Sequence, residues 1–178
     1  DNSQNYSEVS TAVNEGKRHI VTLKKNPGSG AGAARNEGLS LVYSPYVLFC
    51  DSDDVISSEE FSAMLLELSE LPEELDIVFY RPSSSHINGG ESLRASPYAN
   101  LFDEALRTGD YEALRYRWHV PWSKLFRSNF LVENNLKFDS VIAANDVIFS
   151  CRSGHLASLI ILSNVSFYTV IERSGSLR

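Results

Sequence analysis

The chain has few cysteines, no long apolar run and no surplus of positive charge, and each shortage closes off a class of protein. Its two cysteines, Cys50 and Cys151, form no C-x-x-C pair. A disulfide-dense secreted fold is excluded, and two reduced thiols packed in a core are expected instead. The most apolar stretches, Val47–Cys50 and Leu159–Leu162, are of strand length, far short of the roughly 18 residues that suggest a membrane span. Sixteen Lys and Arg stand against 23 Asp and Glu, a formal net charge of −7. That balance argues against a broad nucleic-acid footprint, because binding phosphates needs clustered cations. No signal-peptide pattern opens the sequence, and it contains no internal repeat and no low-complexity tract.

What is present is an ordinary globular composition: 178 residues, 43% hydrophobic, 11% aromatic and 22% charged. That size suits one large domain or part of a longer protein. The polar, turn-like opening Asp1–Asn5 has no element before it, so earlier elements of the fold are expected to be missing. His19–Leu23 reads as a strand, residues 26–30 as a turn, and 31–43 as a helix with small residues for close packing. Pro45–Asp51 is an apolar run ending in acid, as a buried parallel strand would be. Ser57 and Glu60 have capping-box spacing before a helix that Pro72 stops, and Asp76–Tyr80 is another strand. Residues 82–110 break this alternation as a loop-rich excursion with a short helix near Leu101–Arg107. Helices are expected at 111–117, 128–134 and 145–157, and strands at 159–162 and 166–170. Alternating strands and helices of these lengths predict an α/β fold with a mostly parallel central sheet.

Chemistry concentrates at Asp51-Ser52-Asp53-Asp54, directly after the apolar strand. Ligands of open α/β sheets bind beyond the carboxyl ends of strands. Three carboxylates so close repel one another, and a divalent cation sharing one or two of them with phosphate oxygens would relieve the repulsion. A solvated turn that caps the next helix through Asp54 is the plainer alternative. Gly28-Ser29-Gly30-Ala31-Gly32-Ala33 fits G-x-G-x-x-A, with Asp51 placed 23 residues beyond Gly28. A dinucleotide-binding module is therefore a rival reading, although extra carboxylates beside a pyrophosphate are unfavourable without metal.

Several segments together carry a family resemblance. Asn26-Pro27-Gly28, Ala34-Arg35-Asn36-Glu37-Gly38 and the strand ending in Asp51-Ser52-Asp53 resemble the N-x-G-x-x-x-A-R-N-x-G and D-x-D elements of family 2 glycosyltransferases, which have the GT-A fold. Trp122–Leu131 is similar to that family's W-x-K-L-F-R-x-x-F-L, and Lys137-Phe138-Asp139 to the segment before its catalytic E-D pair. Asn145-Asp146 falls where that pair belongs, with Asn in place of Glu, and Asp1-Asn2-Ser3 resembles the end of a D-D-G-S element. The family's first strand and helix find no counterpart before Asp1.

The resemblance implies one GT-A-like domain over 1–178, with a nucleotide-sugar-binding half (1–80) and an acceptor-binding half (81–178) that carries the insertion at 82–110. It implies inverting, metal-dependent transfer of a sugar from a nucleotide-diphosphate sugar, a UDP-sugar first among them, to a glycan or lipid-linked acceptor in cell-surface polysaccharide synthesis. Mn²⁺ or Mg²⁺ would sit on Asp53 and Asp51, and Asp1, Arg35, Asp51, Ser52 and Asp53 would bind the donor. Asp146 would be the catalytic base. Trp122 and Lys124 would meet the acceptor, with Trp118 as another flat surface, while Lys124 and Arg127 could approach phosphate. Ser174-Gly175-Ser176 would belong to a mobile loop. Such acceptors place the enzyme in the cytoplasm, peripheral at the inner membrane face, with no nucleic-acid partner. The missing first strand and Asn145 leave a catalytically silent nucleotide- or glycan-binding relative as the alternative.

Overall fold

Strand β3 (Ile77–Tyr80) is apolar at every position because both of its faces are covered. Ile77 and Phe79 belong to one hydrophobic cluster, with Phe102, Trp118, Phe126 and Phe149. Val78 and Tyr80 belong to a second, with Met64, Leu75, Trp122 and Tyr168. That alternation along one strand puts a core layer on each side of the sheet. The computed structural model describes residues 30–141 and 143–173. The expected strand at His19–Leu23, most of the turn at 26–30, Asp1 and the loop at 174–176 lie outside the described residues.

Besides a 3₁₀ turn at Leu68–Glu70, the remaining described elements are helix α1 (Gly30–Ser40), β1 (Tyr46–Leu48), β2 (Val55–Ile56), α2 (Ser58–Glu67), β4 (Ser83–His86), α3 (Ser96–Thr108), α4 (Glu112–Arg117), β5 (Lys124–Arg127), α5 (Ser128–Glu133), α6 (Val147–Leu156), β6 (Ile160–Ser163) and β7 (Tyr168–Glu172). The main described sheet has the order β1-β5-β3-β6. β5 runs antiparallel to both β1 and β3, whereas β6 is parallel to β3. Thus β1, β3 and β6 point the same way around one reversed strand, and the α/β fold holds with a mixed sheet. The direct partner of the strand expected to be parallel, β1, is antiparallel. An apolar run records burial but not the direction of its neighbour. A smaller sheet, β2-β7-β4, stands beside the acidic turn.

Local sequence explains most boundaries. Ser57 is the N-cap of α2, its hydroxyl donates to the Glu60 carboxylate, and its carbonyl accepts the Phe61 N–H at 2.9 Å. The largest departure is at 82–110, where the structure has β4 and a 13-residue helix in place of loop and a short helix. Pro97 falls in the first turn of α3, where its missing N–H leaves no intrahelical bond unmade. Ala99, Phe102 and Ala105 face the core, and Gly109 closes the helix at φ 72° with its N–H on the Ala105 carbonyl.

The cysteines also differ from expectation. Cys50 is exposed and Cys151 only half-buried. Phe49 takes the inward position at the end of β1, in edge-to-face contact with Phe126, Phe138 and Phe149, so the next side chain points outward.

The A-R-N segment of α1 fastens the helix to the stretch that precedes α6. Asn36 donates to the Phe138 carbonyl at 2.8 Å and accepts the Phe138 N–H at 2.9 Å. Gly32 is required there, because a Cβ would come within 2.2 Å of the Asp139 carbonyl oxygen.

Candidate functional site

The turn Asp51–Asp54, closed by the Asp54 N–H on the Asp51 carbonyl at 3.1 Å, gives its three carboxylates three different environments. Asp51 accepts the Arg35 guanidinium at 2.6 Å, and its own N–H donates to the Tyr168 hydroxyl at 3.0 Å. Asp54 accepts the Tyr168 hydroxyl at 2.6 Å on one oxygen and the Ile171 N–H at 2.9 Å on the other. Burial raises the Asp54 carboxyl above its usual range, opposed by those two donors. Burial and the bond to Asp54 push the Tyr168 phenol far upward, so it remains a proton donor. Asp53 is exposed and, among the described residues, has no hydrogen bond or ion pair.

Among the described residues, no group of three or more His, Cys, Asp and Glu is arranged to hold a metal ion. A cation on Asp53 would need most of its oxygen ligands from elsewhere. Substrate phosphates and water meet that need for Mg²⁺-type ions, which typically take only one or two protein carboxylates. The donor set therefore suits a metal brought with a diphosphate and not a closed structural site.

Arg35 forks. One terminal nitrogen holds Asp51 and the other donates to Asn145 Oδ1 at 3.0 Å, which links the acidic turn to the start of α6. Asp146 is the N-cap residue of α6 but makes no side-chain cap hydrogen bond. It lines the same cleft as Asp51, Asp53 and Arg35, a cavity of about 880 Å³.

Trp122 forms an aromatic wall of that cleft. It is 7% exposed, lies flat on Tyr168 at 5.5 Å and 4°, and is in edge-to-face contact with Tyr98 at 5.0 Å. The other residues expected at the site are placed apart from it. Ser52 is exposed and does not line the cleft. Trp118 is buried, in edge contact with Phe79, and offers no free face. Lys124 is 1% exposed, donates to the Trp118 carbonyl at 2.9 Å and lies over the rings of Phe79 and Trp118. Burial pushes its ammonium down to about 7. It therefore stands behind the cleft wall and not on it. Arg127 is held by the buried Asp76 at 3.0 Å and by the Leu75 carbonyl at 2.8 Å, away from the cleft.

The structure adds Arg94, Tyr98 and residues 170–172 of β7 to the lining. Arg94 and Tyr98 come from the excursion at 82–110, where a cation and an aromatic follow the carboxyl end of β3. That position was their signal in the sequence. Tyr168, which touches two of the three acidic residues, had none, since an aromatic in a strand reads as core.

The model of glycosyl transferase family 2 matches residues 1–129. The chain is 29% identical over 160 residues to a poly(ribitol-phosphate) beta-glucosyltransferase of Bacillus spizizenii, covering 88% of this chain and 24% of that protein. It is 26% identical over 154 residues to YibD of Escherichia coli K12, an uncharacterized glycosyltransferase, covering 83% of this chain and 44% of the other. Its fold superposes on a crystal structure of S. aureus TarS in complex with UDP-GlcNAc with a TM-score of 0.70 at 22% identity, covering 99% of this chain and 48% of that one. The chain spans less than half the length of each of these three proteins.

Proposed function

The chain belongs to glycosyl transferase family 2, and from that premise we propose that its cleft moves a sugar from a nucleotide-diphosphate sugar, a UDP-sugar first, to a hydroxyl of a glycan or lipid-linked acceptor, with inversion and with a divalent cation. Membership displaces the dinucleotide-binding alternative raised by the glycines. One observation carries the reading: Asp53, the partner-free carboxylate of the acidic turn, and Asp146, an uncapped carboxylate at a helix start, share one cleft.

Each residue then has a task. Asp53, with Asp51 beside it, would hold Mn²⁺ or Mg²⁺, which supplies Lewis-acid neutralisation of the departing diphosphate. Arg35 keeps Asp51 in register with Asn145 and so with Asp146. Asn145 stands where the resembled pattern has Glu, and its amide oxygen serves as acceptor for Arg35. Asp146 takes the proton of the acceptor hydroxyl as that oxygen attacks. Trp122, packed between Tyr168 and Tyr98, bounds the acceptor side of the cleft with its small exposed apolar part, and Lys124 supports that wall from behind. Asp1 and Ser52 are retained as donor contacts on the resemblance alone. In this reading residues 1–80 and 81–178 form the donor and acceptor halves of one domain. No helix among the described residues is long and apolar enough to cross a membrane. The proposed setting is the cytoplasm, at the inner membrane face where a lipid-linked acceptor would be met.

Titration calorimetry tests the cation. UDP should bind with Mn²⁺ and bind far more weakly with EDTA, and Asp53→Ala should erase the difference. Equal binding in both buffers would reject the role given to Asp53.

A further inference from the structure

We propose that Tyr168 is a positioning residue that ties the acidic and aromatic walls of the cleft into one unit, its hydroxyl fixing the acidic turn and its ring seating Trp122. The inference deepens the reading above and rests on it for the meaning of the two walls.

Tyr168 is fully buried, at 0% exposure. Its hydroxyl donates to Asp54 at 2.6 Å and accepts the Asp51 N–H at 3.0 Å, so a single group pins both ends of the turn. Further along β7, the Ile171 N–H takes the other Asp54 oxygen at 2.9 Å. The strand therefore grips Asp54 twice, once through a side chain and once through its backbone. With Asp51 also engaged by Arg35, each carboxylate of the turn is held except that of Asp53.

The ring does separate work. It lies parallel to Trp122 at 5.5 Å, and the Tyr98 ring packs edge to face against the same tryptophan at 5.0 Å. Rings packed this closely have little slack, so moving Trp122 displaces the hydroxyl that holds the turn. Any coupling of this kind is reciprocal: what the aromatic wall does to cation affinity, the cation does to the aromatic wall.

Tyr168→Phe keeps the ring and removes only the hydroxyl. In the ligand-free protein, hydrogen exchange at the Asp51 amide should accelerate by about tenfold or more while β3 amides stay protected, since that amide loses its acceptor. Trp122→Leu should accelerate the same amide, although its side chain bonds to neither acidic residue. UDP affinity measured with Mn²⁺ should fall about 10- to 100-fold in Tyr168→Phe, the range typical of outer-shell groups that position metal ligands, because the hydroxyl holds the turn that carries Asp51 and Asp53, while affinity in EDTA stays at the parent value. A merely structural tyrosine would weaken both. If Tyr168→Phe fails to fold, Asp54→Ala frees the hydroxyl from its acceptor with the ring and the Asp51 N–H bond intact, and the readout is then UDP affinity, which should fall with Mn²⁺ and stay at the parent value in EDTA. Unchanged Asp51 exchange in Tyr168→Phe, or unchanged Mn²⁺-dependent UDP affinity in Asp54→Ala, overturns the proposal, and unchanged exchange in Trp122→Leu overturns the link between walls. If the parent shows no Mn²⁺-dependent UDP binding, the cation reading above fails, and the exchange data still decide the role of Tyr168.

Discussion

The two walls of the cleft are built on different physics. The wall with the acidic turn is held by directional, charge-assisted bonds: Arg35 to Asp51 and Asn145, and Tyr168 and Ile171 to Asp54. The aromatic wall is held by ring contacts of Trp122, Tyr98 and Trp118, with a single buried lysine behind it. Directional bonds weaken steeply when their geometry shifts, whereas apolar packing tolerates exchange at constant volume. The first wall should therefore resist even conservative change, and the second should accept it.

The largest effect is expected at the start of α6, which Arg35 ties to the charged wall. Asp146→Asn should lower transfer by roughly 10²–10⁴-fold, the usual worth of a general base, with UDP–Mn²⁺ affinity nearly unchanged. If Asp146 were only a helix cap, Asn would replace it well, and a rate within about threefold of the parent would establish that.

A smaller effect separates the walls directly. Arg35→Lys keeps the charge but loses the fork that reaches two acceptors at once. Hydrogen bonds to charged groups are worth ~1.5–3 kcal/mol, and partial exposure of Asp51 reduces this to about 1 kcal/mol. Denaturant melts should show that loss, together with weaker donor binding. An unchanged midpoint would mean that the charged wall is as tolerant as the aromatic one.

The smallest effect is a slope. The unfolded chain holds the Lys124 proton up to about 10.5, while the folded chain releases it near 7. The unfolded state binds more protons between those values, so this group makes stability rise with pH across that window. Lys124→Met should flatten the rise without destabilising the protein at pH 7. Above about 10 the raised phenols of Tyr80 and Tyr168 act oppositely, since folding then holds protons that the unfolded chain has lost. Melting temperature followed from pH 7 to 10 in parent and variant checks the sign. A variant with the parent's slope would remove Lys124 as its source.

Legibility in the sequence followed burial. α2 was readable because its apolar residues recur with the helical period, and β3 because its continuous apolar run is of strand length. β4 was not: Ser83-Ser84-Ser85-His86 has no apolar face, and its strand conformation comes from pairing with β7. The start of α3 was hidden by Ser96-Pro97, which reads as a turn unless the helix behind it is known. At the site, the acidic turn, Arg35, Trp122 and Asp146 were marked by motif and order. Lys124 was not readable as buried, since nothing local distinguishes a lysine under two rings from one in solvent. Tyr168 depends on a partner 114 positions away, beyond the reach of any local pattern.

That separation also orders the assembly of the molecule. β2 pairs with β7, Asp54 closes on Tyr168, and β3 pairs with β6. Each is a contact of long sequence separation, whose loop-closure entropy must be met before the contact gives anything back. During synthesis the acidic turn leaves the ribosome well ahead of β7, yet its fixed form waits for that last described strand. The nascent chain therefore carries three neighbouring carboxylates, one of them, Asp54, without the β7 donors that later hold it, through much of its elongation. The cleft comes into being only when the fold closes around it.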